Sequence, residues 1–229
     1  MANSGVVVER RTYRSVNRAE QARQTHAAVL SAGQELFSRC GYAGTTMRLV
    51  AESAGVSVPT VELLFRTKSS LLQACIDVAI AGDGEPVAML ERDWTRQAEA
   101  ATDLNGFVAV FASVLAPAQA RSAALVLAVF EGGRRDPELA ELAHRLAEQR
   151  AVMATWLIER LCRRQPLRTG PTKQDAIDTV WVLLDPAVYE RLTRHRGHTL
   201  AYYERWIADS MIRLLVDQEQ QPTVTRRQR

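Results

Sequence analysis

Three residues between Met47 and Arg66 stand at spacings that packing geometry would select: Ala51, Gly55 and Val61. A small side chain lets a second helix cross at close range. A glycine four positions on accepts the positive φ of a sharp turn, and an apolar residue six positions further plugs the angle between the helices. The other inward positions, Val50, Ala54, Val56 and Leu64, are all apolar. The corner so specified is a helix-turn-helix, and its chemistry is recognition rather than bond-making. Its second helix offers side chains to base edges. Thr46 and Ser57, as helix caps, can turn hydroxyls or backbone N–H groups toward phosphates. Arg48 can reach a phosphate or a groove edge. Val58, Pro59, Thr60, Glu62 and Leu63 form the outer side or the start of the second helix, and Thr60 can bond a base or touch a thymine methyl.

Before Arg66 this helix holds no Arg, Lys, Asn or Gln, so bidentate base reading is nearly absent. Specificity is then expected from methyl contacts, groove shape and the N-terminal arm. Glu62 has two readings: it accepts a hydrogen bond from a cytosine N4, or it pairs with Arg66 four residues on, and the pairing is the favoured expectation. A carboxylate is also repelled by phosphate. The alternative function is therefore a helical sensor or interaction protein whose head no longer reads DNA. Enzyme signatures are missing: there is no G-x-S-x-G, P-loop or H-E-x-x-H. An all-helical enzyme would need a clustered acid/base pair that the sequence does not present. His195 and His198 have ligand-like spacing, but Gly197 between them marks a loop. Cys40, Cys75 and Cys162 are odd in number and far apart, which argues against a disulfide framework or zinc site. No cofactor or metal is expected, and the expected compartment is the reducing cytoplasm, at the nucleoid when bound to DNA.

The elements that position these residues are all helical. Of 229 residues, 47% are apolar, enough for a sizeable core. Residues 1–68 carry nine Lys/Arg against five Asp/Glu, whereas residues 69–229 carry 20 against 21, a basic head on a near-neutral body. Residues 1–19 read as a flexible basic arm whose Arg10, Arg11, Arg14 and Arg18 could follow a minor groove. Apolar spacing predicts a helix over 20–40 stopped by Gly41, a second over 47–54 capped by Thr45 or Thr46, and a third from Val58 to about Phe65. A fourth begins at Thr67 or Lys68, and 82–86 breaks it. Further helical segments are expected over 86–100, 103–115, 117–132, 137–164, 172–184, 186–195 and 199–218, with a long loop over 165–173 and a disordered tail over 220–229. The longest apolar stretch, 122–130, is too short to span a bilayer, and the first residues resemble no secretory signal, so no membrane partner is expected. The fold class is all-α. A three-helix DNA-binding head (20–68, its motif at 47–66) is joined through a fourth helix to a larger helical ligand-binding and dimerisation domain (69–219).

The run Glu20 to Ile76 resembles the DNA-binding head of the tetracycline-repressor (TetR) family. The resemblance is carried by Leu36-Phe37, Gly41-Tyr42, Thr45-Thr46, Ala54-Gly55-Val56-Ser57, Phe65 and Thr67-Lys68. It implies a homodimer, each subunit placing its third helix in the major groove of a pseudo-palindromic double-stranded operator. Half-sites would lie one helical turn, roughly 34–36 Å, or a multiple apart. It implies a phosphate contact for Lys68. The sequence departs from the family where tyrosine is usual at Glu62 and glycine is frequent at Pro59. The resemblance also implies a small-molecule effector, and with it a repressor released from its operator by that molecule.

Candidate pocket-lining residues in the larger domain are Phe107, Phe111, Phe130, Trp156 and Trp181. Glu131, Asp178 and Asp185 could orient a polar or cationic ligand, although Asp185 is most simply a helix cap. The run 180–184 is apolar all round and must be covered on every side. The last long helix is apolar on two faces. Trp181, Leu184, Tyr203, Trp206, Ile207, Met211 and Leu214 are the candidates for self-association.

Overall fold

The computed structural model describes residues 5–85 and 87–217, with side chains from Glu20 onward. Among these residues there is no strand. The helices are α1 (Gly5–Gly44), α2 (Met47–Ala54), α3 (Val58–Leu64), α4 (Lys68–Ala81), α5 (Asp93–Glu99), α6 (Leu104–Gly132), α7 (Pro137–Cys162), α8 (Lys173–Leu183), α9 (Pro186–Glu190) and α10 (Leu200–Leu215). A 3-10 turn, Met89–Glu91, precedes α5, and a π-helical turn, Arg191–His195, continues α9.

The caps explain most boundaries. Thr46, Ser57, Thr67, Thr172 and Thr199 each accept a bond from a backbone N–H of the first turn that follows. Asp136 and Asp185 do the same ahead of Pro137 and Pro186. Each such cap contributes about 1 kcal/mol. Gly41 takes φ 66 and breaks the regular run of α1. The backbone of α1 is helical from Gly5, so the segment read as an arm continues the first helix. Its arginine side chains, and the 220–229 tail, lie outside the described residues.

Three expectations change. The helix expected over 86–100 shrinks to the 3-10 turn and α5, because little of 83–91 is buried. The pair expected over 103–115 and 117–132 is one helix, α6, with Pro117 inside it. Proline deletes one backbone bond, but the turns around it are buried through Ala112, Ala116 and Ala118. Unbroken, α6 is long and apolar enough to cross a membrane by length and composition; half of that stretch is buried inside the protein, as in a core helix. The third change is the end of the 186–195 helix, which widens to a π turn.

The chain forms two compact units, one within Met1–Pro86 and Ala124–Ala143, the other within Val87–Ala123 and His144–Arg229. The first takes in α4, which packs on α1, as well as Ala124–Ala143. Leu71, Leu72, Cys75 and Ile76 are fully buried there, and Gln34 Nε2 donates to the Cys75 carbonyl at 3.0 Å. Burial pushes the Cys75 thiol up to about 12. The core of the second unit gathers Trp94, Phe107, Phe111, Trp156, Leu157, Val180, Tyr203, Ile207 and Met211.

Candidate nucleic-acid interface

The corner is built as its spacing requires. Val50, Ala51 and Val61 are buried, and Gly55 takes φ 69 and ψ 30 at the C-cap of α2. Its N–H and that of Val56 return to Glu52 and Ala51 carbonyls, closing the turn. Phe65, 5% exposed, caps α3 and lies against the His26 ring at 5.1 Å.

On the outer side, Ser57 Oγ and Thr60 Oγ1 are 2.8 Å apart, and Ser57 Oγ also accepts from the Thr60 N–H. The Thr60 hydroxyl is therefore engaged at the start of α3, and Thr60 is half-buried. Pro59, Glu62 and Leu63 are exposed, Leu63 to 85%. Arg48 is exposed and 3.7 Å from Glu52, a loose surface pair of little energetic consequence. Thr46 is exposed and holds the Leu49 N–H.

Glu62 does not pair with Arg66. No ion pair involves Glu62 among the described residues, and the reason is local. The helix stops at Leu64, and Phe65 turns to φ −136 and ψ 85, so Arg66 leaves the position one helical turn on from Glu62.

Lys68, to which the resemblance gives a phosphate contact, bonds within the head. Its Nζ donates to the carbonyls of Tyr42 at 2.8 Å and Thr45 at 3.0 Å, and sits 3.9 Å from the centre of the Tyr42 ring. Burial pushes its pKa down, opposed by Asp136. The ammonium thus fastens the end of α1 and the residue after it to the start of α4. Next to it Ser69 is hydrogen-bonded to Glu138 at the start of α7, and Thr67 Oγ1 is 2.7 Å from Ser69 Oγ. Tyr42, half-buried here, is pushed up by burial and by the Asp136 and Glu138 charges. This polar set was not singled out from the sequence, because Ser69 and Glu138 are 69 residues apart.

The pocket candidates separate. Phe107, Phe111 and Trp156 meet in the second unit, and Trp94, which sequence reasoning missed, joins them: its ring is 5.1 Å from Trp156 and 6.0 Å from Phe111. The Arg160 and Arg164 guanidinium groups stack over Trp156 and Phe107. Phe130 and Glu131 belong to the first unit. Trp181 is tied elsewhere, its Nε1 donating to the Ala147 carbonyl at 3.2 Å beneath the Arg150 guanidinium. Arg150 in turn reaches Asp185 at 2.8 Å, so Asp185 serves both as cap and as counter-ion, and burial pulls the Arg150 pKa down. Asp178 is exposed and accepts from Gln174.

The self-association candidates divide too. Leu184, Tyr203, Ile207 and Met211 are buried in the core of their own unit and have no surface left for a partner. Leu214 is 44% exposed, Trp181 and Trp206 are partly exposed, and Val182, not among the candidates, is 56% exposed.

The sequence family described as bacterial regulatory proteins, tetR family, matches residues 29–75. No curated protein matches the chain. Solved structures share the fold. NalD, the secondary repressor of the MexAB-OprM multidrug efflux pump in Pseudomonas aeruginosa, superposes with a TM-score of 0.65 at 20% identity, over 86% of this chain and 100% of that one. A putative transcriptional regulator from Saccharomonospora viridis in complex with choline gives 0.64 at 15% identity, over 87% and 100%. FadR from Bacillus subtilis in complex with stearoyl-CoA gives 0.63 at 14% identity, over 82% and 97%. Residues 29–75 thus match the tetR family of bacterial regulatory proteins, and the described helices share the fold of solved transcriptional regulators.

Proposed function

We propose that this regulator works as a dimeric repressor that leaves its operator when a small molecule binds the second compact unit. The observation that carries the DNA-binding part is the build of the corner: Val61 fully buried on one side of α3 and Leu63 85% exposed on the other. A helix so anchored offers its outer side to a groove without disturbing its own packing. Thr46, Arg48, Ser57, Val58, Pro59, Thr60, Glu62 and Leu63 are the proposed DNA-facing residues. Lys68 holds them in place from behind.

Self-association is assigned to α8 and α10 through Val182, Trp206 and Leu214, side chains whose apolar area is left uncovered. Two heads related by a two-fold axis would then address two half-sites. Solved relatives of the fold with choline or stearoyl-CoA bound support a ligand response. We place the effector against Phe107, Phe111, Trp156 and Trp94. Release requires that the effector prefer the conformation that does not fit the operator.

The test is fluorescence anisotropy of the full chain with DNA from its own upstream region, at two salt concentrations, with and without unrelated competitor. Binding that survives competitor and weakens with salt is expected. Binding erased by competitor removes the claim of an operator in that region. No binding at either salt removes the repressor reading and leaves the sensor without a reading head.

A further inference from the structure

Leu63 is the most exposed of the large apolar side chains among the described residues, at 85%. It also stands where a base-reading side chain would stand. Successive residues of a helix turn by about 100°. Measured from the buried Val61, Pro59 and Leu63 therefore fall within about 20° of the opposite direction, and Glu62 about 100° to one side. Thr60 falls on the other flank, with its hydroxyl engaged by Ser57 at 2.8 Å. The centre of the reading face is thus two apolar side chains, and its one uncommitted polar group is a carboxylate that makes no ion pair among the described residues.

A major groove offers few partners for that pair. The only apolar group on its floor is the C5-methyl of thymine. A carboxylate can only accept, and the donors there are the exocyclic amino groups, of which cytosine N4 is the usual partner of Glu. Guanine N7 and O6 are acceptors and would face Glu62 or Leu63 with nothing to bond.

We infer that Leu63, with Pro59 beside it, reads a thymine C5-methyl and that Glu62 reads the N4 amino group of a neighbouring cytosine, so each half-site is selected by pyrimidine substituents rather than by guanine. This rests on the DNA-binding reading above and names what that site takes.

The experiment selects duplexes from a randomised library with the full-length protein, then scans the best binder by exchanging each thymine for deoxyuridine. One thymine per half-site is expected to be sensitive, the loss of its methyl weakening binding about fourfold, the worth of one buried methyl. Changing that pair to C·G weakens binding, and 5-methylcytosine at the same place recovers the part owed to the methyl. The Leu63→Ala variant, whose melting curve should match the parent because the side chain is exposed, binds thymine and deoxyuridine duplexes equally. The Glu62→Ala variant accepts other bases at the cytosine with less than a twofold difference. A flat deoxyuridine scan, or a sensitivity that persists in Leu63→Ala, overturns the inference alone. Failure to enrich any duplex overturns the DNA-binding reading and this inference with it.

Discussion

Lys68 separates two accounts of the head, and Lys68→Met measures which holds. Met keeps the length of the side chain and removes the ammonium. In the structure that ammonium makes two charge-assisted bonds, to the Tyr42 and Thr45 carbonyls, and stacks on the Tyr42 ring. Bonds to charged groups contribute about 1.5–3 kcal/mol each and the ring contact about 0.5–1 kcal/mol. Desolvation of the ammonium, visible in its depressed pKa, offsets much of that. A net loss of about 2 kcal/mol is expected, a fall in Tm of about 4–8 °C for a chain of this size. Circular dichroism at 222 nm measures the melt. Anisotropy across a salt series, well below the transition, measures the grip on DNA. Affinity should change less than twofold, with an unchanged dependence on salt. A Tm equal to that of the parent, with a log–log salt slope reduced by about 0.9 per lysine, would refute the internal role and restore the phosphate contact.

Four further outcomes follow from the same geometry. Gly55→Ala meets no neighbour but must hold φ 69, so it should cost about 1 kcal/mol in a denaturant melt, with DNA binding kept once folded. Glu62→Gln should tighten binding to random-sequence DNA at low salt, since it removes a charge that phosphates repel; unchanged non-specific affinity would remove the repulsion argument. Leu214→Arg, on a side chain 44% exposed, should give monomers in sedimentation and weaken operator binding, whereas a dimer that persists would move the interface away from α10. Thiol titration of the folded protein should find exposed Cys40 and Cys162 but not buried Cys75. Because folding raises the Cys75 pKa from an ordinary 9.0 to about 12, its contribution to stability is full below pH 9 and is lost as pH rises toward 12.

The head was legible because its information is local. The bounds of α2 were read exactly, and Thr46, Ser57 and Thr67 cap the helices they precede. Caps and turns act over three or four residues, within reach of a spacing argument. The Glu62–Arg66 pair failed at the same scale, because periodicity does not show that a helix ends two residues before its partner. Pro117 misled in the other direction: its local preference for a break is overridden by burial of its neighbours, a tertiary effect. An apolar stripe does not say whether its own domain or another covers it; Tyr203, Ile207 and Met211 are buried within this chain, while Leu214 stays exposed. Trp94 was missed because its partners lie in α6 and α7, far along the chain.

The absence of any cation from α3, and the Glu62 carboxylate on its flank, also bears on how the protein would search a chromosome. Random sequence competes for a regulator through its phosphates, at every position of the genome. A reading helix that adds no attraction to those phosphates shortens each non-productive stay. Less of the pool is then titrated onto irrelevant sequence, and arrival at the operator depends more on three-dimensional encounter than on sliding. On the proposed reading, the same residues would weaken the grip on DNA in general and let a small number of molecules suffice to occupy one site.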